Sequence, residues 1–250
     1  MTQHPTLEVL GVPIARMDAR AALVEVERLA DDPAPALVAY VNAHTLNLAR
    51  RDPSYLELLR SAALVLNDGA GVALAARMRG ARFPANLNGS DFNPRILELA
   101  ARRAWPVYFL GARPGVAERA AARMRALIPD LRVAGTRDGY FERAHDDDVA
   151  AAVRASGAAV VMVAMGNPLQ ERWLADNLAA TGARLGVGVG AFFDFAAGVV
   201  PRAPAWMNRL GIEWLFRLYQ EPRRMWRRYL LGNAEFVARA ALDALRARRA

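Results

Sequence analysis

The stretch Ala63–Val72 reads ALVLNDGAGV: four apolar residues, then Asn67-Asp68-Gly69, then a second glycine at Gly71. A short apolar run that stops at Asn-Asp-Gly reads as a buried strand meeting a turn. Asp68 then has two readings. It is a turn residue that stops a strand and leads into a helix, or a carboxylate held at a reaction centre. The same pattern recurs along the chain. Strand-like runs occupy Leu37–Val41, Ala63–Leu66, Val107–Leu110, Leu131–Ala134, Ala158–Ala164 and Leu185–Val189. Between them lie helix-like segments near 18–30, 53–61, 70–79, 93–104, 115–128, 147–156 and 169–180, with Asp18, Asp52-Pro53 and Asp146–Asp148 as helix starts. Strands that are apolar throughout and separated by helices predict an α/β fold, a mostly parallel sheet covered on both faces. In such sheets ligands bind at the carboxyl ends of the strands.

Composition narrows the classes further. Hydrophobic residues make up 54% of the 250, enough for a large core. The longest uncharged runs, such as Ala155–Gln170, are too short or too broken by Gly and Pro to span a bilayer. The opening MTQHPTLEV lacks the charged-then-apolar pattern of a signal peptide. Cysteine is absent, which excludes disulfides and thiolate chemistry and fits the cytoplasm. The net charge of +8 is uneven: residues 201–250 hold eleven Arg against four acids. Every basic residue is Arg, as a GC-rich genome would produce, but that does not explain the clustering. Seven of the twenty aromatics share the same segment, punctuated by Pro201, Pro204 and Pro222. Residues 1–195 read as a core and 196–250 as a C-terminal helical appendage packed on it. Arg interleaved with Trp and Tyr favours a membrane surface over plain solvation. No nucleic-acid module is recognisable, so nucleic acid is not an expected partner. The spacings 217/224/228 and 220/224/227 would put several of these arginines on one helical face.

Four strand ends carry polar residues that would converge on one sheet edge: Asn42-Ala43-His44-Thr45, Asn67-Asp68-Gly69, Gly111-Ala112-Arg113-Pro114-Gly115 and Gly166-Asn167-Pro168-Leu169-Gln170-Glu171. Two glycine patterns fall short of a dinucleotide site. Gly69-Ala-Gly71 has Leu74 where a third glycine belongs. Gly186-Val-Gly188-Val-Gly190 lacks an obvious phosphate-cradling helix start. The run Asp146-Asp147-Asp148 has the DxD spacing of a metal-binding transferase, yet it precedes an apolar helix, where carboxylates favour the positive end of the dipole. Capping is the favoured reading, and His4, His44 and His145 form no ligand cluster. No metal and no cofactor are expected.

The motifs NDGAGV, LNGSDF, FLGARPG, GNPLQERW, GVGAFFDFAAG and PRAPAWMNRLGIEWLFRLYQEPRRMWRRYL occur in this order. From about Val9 to Phe236 the chain resembles the WecG/TagA/CpsF family, glycosyltransferase family 26. The resemblance implies a Rossmann-like core with a membrane-facing appendage that helps complete the active site. It implies an inverting enzyme, cytoplasmic and peripheral on the inner face of the plasma membrane. Such enzymes move a sugar from a UDP-sugar to a polyprenyl-diphosphate-linked saccharide in cell-surface polysaccharide synthesis. It assigns Asp68 as catalytic base, Asn42 and Gln170 to the substrate, and Arg217, Arg224 and Arg227 to diphosphate and membrane. Thr45, Asn86, Asp91, Gly111, Asp138, Gly166, Asn167 and Gly190 complete the expected substrate-binding set. Two positions depart from the family pattern. Asn86 stands where many members carry Arg before GxD, which should favour a neutral sugar over an N-acetylmannosamine-type donor, and Tyr40 replaces a common Thr. A nicotinamide or S-adenosylmethionine enzyme and a non-catalytic membrane-binding module are the alternatives, and the oligomeric state, a homo-oligomer included, stays open.

Overall fold

The computed structural model describes residues 4–204, 206–207 and 212–247, without the side chain of Arg224. Six strands form one parallel sheet: β3 (Ala36–Val41), β4 (Leu64–Asn67), β5 (Val107–Gly111), β6 (Val133–Arg137), β7 (Val160–Ala164) and β8 (Leu185–Gly188), ordered β4-β3-β8-β7-β5-β6. Side chains alternate between faces, as the two-residue strand period requires. Val38, Tyr40, Leu64 and Leu66 enter one core cluster, whereas Ala39, Val41 and Val65 enter another.

Helices α1 (Ala19–Asp31), α5 (Gly89–Arg102) and α6 (Val116–Leu127) cover the first face, joined by the short α9 (Phe192–Ala196). The second face is covered by α2 (Ala43–Arg51), α3 (Pro53–Ser61), α4 (Ala70–Met78), α7 (Asp146–Ala155) and α8 (Leu169–Thr181). Their starts are chemically specified. The carboxylates of Asp18 and Asp52 accept from the first free amides of α1 and α3, and Pro53 opens α3 where no N–H is needed.

Four elements, β1 (Thr6–Val9), β2 (Val12–Ala15), α2 and α9, lie outside the pattern read from the sequence. The antiparallel hairpin of β1 with β2 turns through Leu10-Gly11, both at positive φ (51° and 87°). Its strands are four residues each, with Thr6 and Glu8 exposed and Val9, Val12 and Ile14 buried on the second face, so no long alternation announces them. Helices α2 and α9 are also absent from the helix-like segments. The strand expected at Leu131–Ala134 is displaced to Val133–Arg137, at the sheet edge.

The C-terminal segment is a broken helix. It comprises α10 (Glu213–Gln220), α11 (Pro222–Trp226), a π-helical turn at Arg227–Leu231 and α12 (Gly232–Ala247). This corrects the single arginine face. Pro222 offers no N–H and forces Glu221 out of helical geometry, to φ −128° and ψ 60°, so Arg217 lies on a different helix from the arginines after it. Phe236 and Ala240 of α12 are buried with Val41, Leu46 and Val72 of the core. The ion pairs Arg79–Asp243 (2.6 Å) and Arg51–Glu235 flank that contact.

At the mouth of the sheet, β5 and β7 approach closely. Gly111 has φ +126°, and a Cβ there would sit 2.5 Å from the Ala164 carbonyl oxygen. Gly111→Ala is expected to destabilise the protein by about 2 kcal/mol or more, lowering the melting midpoint by at least roughly 4 °C for a chain of this size. Scanning calorimetry checks this, and an unchanged midpoint would show that the strand ends can separate.

Candidate active site

Asp68 is the first residue beyond β4, and the turn it opens is pinned on two sides. Its N–H donates to the Val41 carbonyl at 2.9 Å, continuing the β3–β4 ladder by one bond. Gly69, at φ +90°, then donates its N–H to Asn86 Oδ1 at 2.9 Å. That conformation strains any residue with a Cβ, so the turn needs glycine. Asn86 therefore holds the carboxylate's turn by hydrogen bonding rather than supplying a cation.

Asn42 occupies the equivalent place after β3. Its Oδ1 caps α2, accepting from the N–H of His44 (3.0 Å) and of Thr45 (3.1 Å) and from the Thr45 hydroxyl (3.2 Å). Its Nδ2 donates to Asp68 Oδ2 at 3.3 Å. Thr45 is fully buried and supports the cap instead of facing the cleft.

The Asp68 carboxyl is half-buried, and burial raises its pKa above the ordinary carboxylate range. The Asn42 hydrogen bond and the charges of Arg228 and Arg217 pull it back, while Asp91 adds a small push upward. An aspartate at its unperturbed value of about 3.9 is thus not what the fold produces. The shift brings the group nearer to the proton affinity a general base needs.

Two cavities meet at this carboxylate. The larger, about 910 Å³, runs over the ends of β8, β7 and β5 toward Tyr140, Phe141 and Trp173. The smaller, about 330 Å³, lies between the starts of α2 and α4 and the C-terminal helices. Asn42, His44, Asp68, Ser90, Arg217 and Arg228 line both and form the throat between them. Arg217 lies over the Phe195 ring at 5.1 Å, and among the described residues its buried Nε has no hydrogen-bond partner. A buried N–H without an acceptor is costly, and an anionic oxygen would satisfy it. His44 is neutral here: burial, Arg228 and Arg51 lower its pKa to about 4.

The loops after β7 and β8 are tied together from beneath. Gln170 Oε1 accepts from the N–H of Gly166 (3.2 Å) and of Gly190 (3.0 Å), while its Nε2 donates to Glu171 Oε1 (2.6 Å). Asn167 and the Tyr55 hydroxyl also donate to Glu171, whose burial raises its pKa. Gln170 is 2% exposed, and its amide is already committed to shaping the cavity floor. Gly166, Asn167 and Gly190 line the larger cavity directly.

Other expected residues fall to either side of the throat. Asn86 lines the smaller cavity. Asp91 is exposed, paired with Arg202 and with Asn88 Nδ2 (2.8 Å). Gly111 is buried in the β5 end, and Asp138 accepts from the Tyr140 N–H in the adjacent turn. Tyr40, in place of the common Thr, is buried and donates its hydroxyl to Asn93 (2.8 Å). Arg227 is exposed and lies over the Trp226 ring, away from the throat. The side chain of Arg224 lies outside the described residues. The DxD carboxylates are engaged in the first turn of α7: Asp146 accepts from Trp173 Nε1 (3.0 Å), and Asp148 pairs with His145 (3.2 Å).

Arg228 and Glu213 are charged lining residues outside the expected set of site residues. Arg228, which the 217/224/228 spacing groups with Arg217, reaches the throat, whereas Arg227, which the family resemblance assigns to diphosphate, does not. Glu213, in the first turn of α10, faces the smaller cavity. The only sequence signal for it is an acid inside an otherwise apolar GIEWLF.

A family model described as the glycosyl transferase WecG/TagA/CpsF family matches residues 7–250. A Bacillus subtilis (strain 168) protein described as N-acetylglucosaminyldiphosphoundecaprenol N-acetyl-beta-D-mannosaminyltransferase is 30% identical over 195 residues, which cover 78% of this chain and 75% of that protein.

Burial of the Asp68 charge has a consequence for stability. A carboxyl whose pKa is raised on folding costs the fold stability above its unfolded pKa, and that cost disappears as pH falls below it. Asp68→Asn, which mimics the neutral acid, is therefore expected to melt higher than the parent at pH 7. The difference should shrink as the pH falls through the ordinary carboxylate range. Thermal melts across pH check the sign, and a lower melting point for the variant at neutral pH would contradict it.

Proposed function

Because the chain belongs to the WecG/TagA/CpsF family of glycosyl transferases, we propose that it moves a sugar from a UDP-sugar onto a polyprenyl-diphosphate-linked saccharide, with inversion at the transferred carbon. One observation carries this reading: a carboxylate and two arginines stand at the throat shared by two cavities. A transfer between two bound substrates needs that layout, with a base where the acceptor hydroxyl meets the donor's anomeric carbon. The larger cavity suits the nucleotide sugar, since 910 Å³ is near the upper end of small-molecule sites, roughly 300–1,000 Å³.

In the proposed step Asp68 takes the proton of the acceptor hydroxyl. The oxygen attacks the anomeric carbon from the face opposite the diphosphate. The bond from that carbon to the diphosphate oxygen breaks, and its electron pair leaves with UDP. Negative charge grows on the departing diphosphate, and Arg217 and Arg228 are placed to meet it with permanently charged, forked donors. The Arg217 Nε, without a hydrogen-bond partner among the described residues, supports that role. The arginines let the reaction proceed without a divalent cation, and the DxD aspartates are occupied by Trp173 and His145. Asn86 lines the smaller cavity and not the larger, so the loss of a cation at that position bears on the acceptor side of the throat rather than on the donor sugar.

Among the described residues no helix is long and apolar enough to cross a membrane. The segment around the π-helical turn nevertheless exposes Trp226, Leu230 and Leu231 beside Arg223 and Arg227. Aromatic and leucine side chains flanked by arginine suit the headgroup boundary of an anionic bilayer. We place the protein on the cytoplasmic face of the plasma membrane, taking a lipid-linked acceptor from the bilayer for cell-surface polysaccharide synthesis.

With a panel of UDP-sugars and a synthetic polyprenyl-diphosphate sugar, Asp68→Asn is expected to keep UDP affinity and lose about 10²–10⁴-fold in turnover. Near-parental turnover would remove Asp68 from the role of base. The parent protein is expected to remain active in EDTA. Loss of activity restored by Mn²⁺ would return Asp146–Asp148 to consideration.

A further inference from the structure

The smaller cavity differs chemically from the larger one. At about 330 Å³ it sits at the low end of ligand sites, roughly 300–1,000 Å³, a size for one sugar ring rather than a nucleotide. One wall is aromatic: the Trp214 and Tyr229 rings lie 5.9 Å apart at 51°. The same cavity is lined by the Ser90 hydroxyl and by Asn86 and Asn88, whose amides are bonded to the Gly69 N–H and to Asp91. Glu213 projects from the first turn of α10, half-buried, and among the described residues its carboxylate has no hydrogen-bond or ion-pair partner.

Burial raises the Glu213 pKa, Asp68 raises it further, and Arg217 and Arg202 lower it, so the group is electrostatically coupled to the throat. A partly desolvated, unpartnered carboxylate is a strong acceptor for hydroxyl and amide protons. Beside an aromatic wall that can cover the C–H face of a pyranose, it completes the ordinary chemistry of sugar recognition. The outer rim carries Leu74 and Val237, an apolar exit for a lipid tail.

We propose that the smaller cavity holds the acceptor sugar, with Glu213 accepting hydrogen bonds from its hydroxyls and so determining which hydroxyl is presented to Asp68. The proposal rests on the transferase reading above and adds to it the acceptor subsite and a specificity-determining residue. The bland alternative is a carboxylate that only complements the positive end of α10. Such a group would not distinguish ligands with and without a sugar.

The test compares two soluble probes, farnesyl-diphospho-N-acetylglucosamine and farnesyl diphosphate, binding to the full-length parent and to Glu213→Gln. UDP binding serves as a check on folding. The parent is expected to bind the sugar-bearing probe more tightly. Glu213→Gln should weaken that probe about tenfold or more, the scale of a lost hydrogen bond to a charged group, while farnesyl diphosphate and UDP affinities stay within about twofold. Should that variant lose UDP binding through misfolding, Glu213→Asp, which keeps the charge and shortens the reach, is read instead with the same expectation. Equal loss for both probes, no loss for either, or a parent that does not distinguish them would each overturn the assignment. The transferase reading fails separately: the probe pattern with no transfer from any UDP-sugar would leave Glu213 at a sugar site of a different enzyme. Transfer with unchanged acceptor discrimination in Glu213→Gln would spare the transferase and sink the subsite.

Discussion

The parallel pairing of β3 with β4, with Val41 opposite Asn67, is the constraint on which the site depends. It makes Asn42 and Asp68 the first residues beyond two adjacent strands, one on each side of the same ladder. Asn42 must cap α2, and only its oxygen can accept the helix amides. The orientation of its amide is thereby forced, with Nδ2 toward Asp68 and a donor toward the carboxylate's charged form. A helix cap and the orientation of the donor facing the throat carboxylate are one arrangement.

Electrostatics then couples this arrangement to the far end of the chain. Burial at the sheet edge raises the proton affinity of Asp68, and Arg217 and Arg228 moderate it from the C-terminal helices. The same helices form one wall of both cavities at the throat. They are anchored by Phe236 in the core and by ion pairs at α2 and α4. The C-terminal segment therefore shapes both the cavities and the electrostatics of the Asp68 carboxylate. Removing it would uncover apolar core and strip the carboxylate of its nearby cations.

Much of the fold is legible in the residue pattern. Five of the six sheet strands correspond to apolar runs, because strands buried on both faces leave no room for polar alternation; the edge strand β6, half-buried throughout, is displaced from its apolar run. Asp18 and Asp52-Pro53 mark helix starts because the chemistry of a cap is local. The hairpin is not legible, since four-residue strands joined through a left-handed Leu10 give no periodic signal. Within the site, Asp68 and Asn42 are legible as strand-end residues. Gln170 is legible as a motif residue but not in orientation: both ends of its amide turn inward to tie two loops. Arg228 is legible only as one arginine of the 217/224/228 spacing, and Glu213 escapes notice, because where each side chain stands depends on how the broken C-terminal helix docks.

By itself the sequence determined the alternation of strands and helices, the caps, the glycine turn after Asn67 and the concentration of arginine and aromatic residues near the C-terminus. Those features rest on interactions between residues a few positions apart, so they can be read in order along the chain. Only the tertiary structure decided that Asp68 lies where two cavities meet, that Arg228 rather than Arg227 stands beside it, and that Glu213 faces it from residues 145 positions later. Those placements follow from the order in which the strands pair and from how α12 docks on the core. Both are set by burial summed over the whole molecule, which no local stretch encodes.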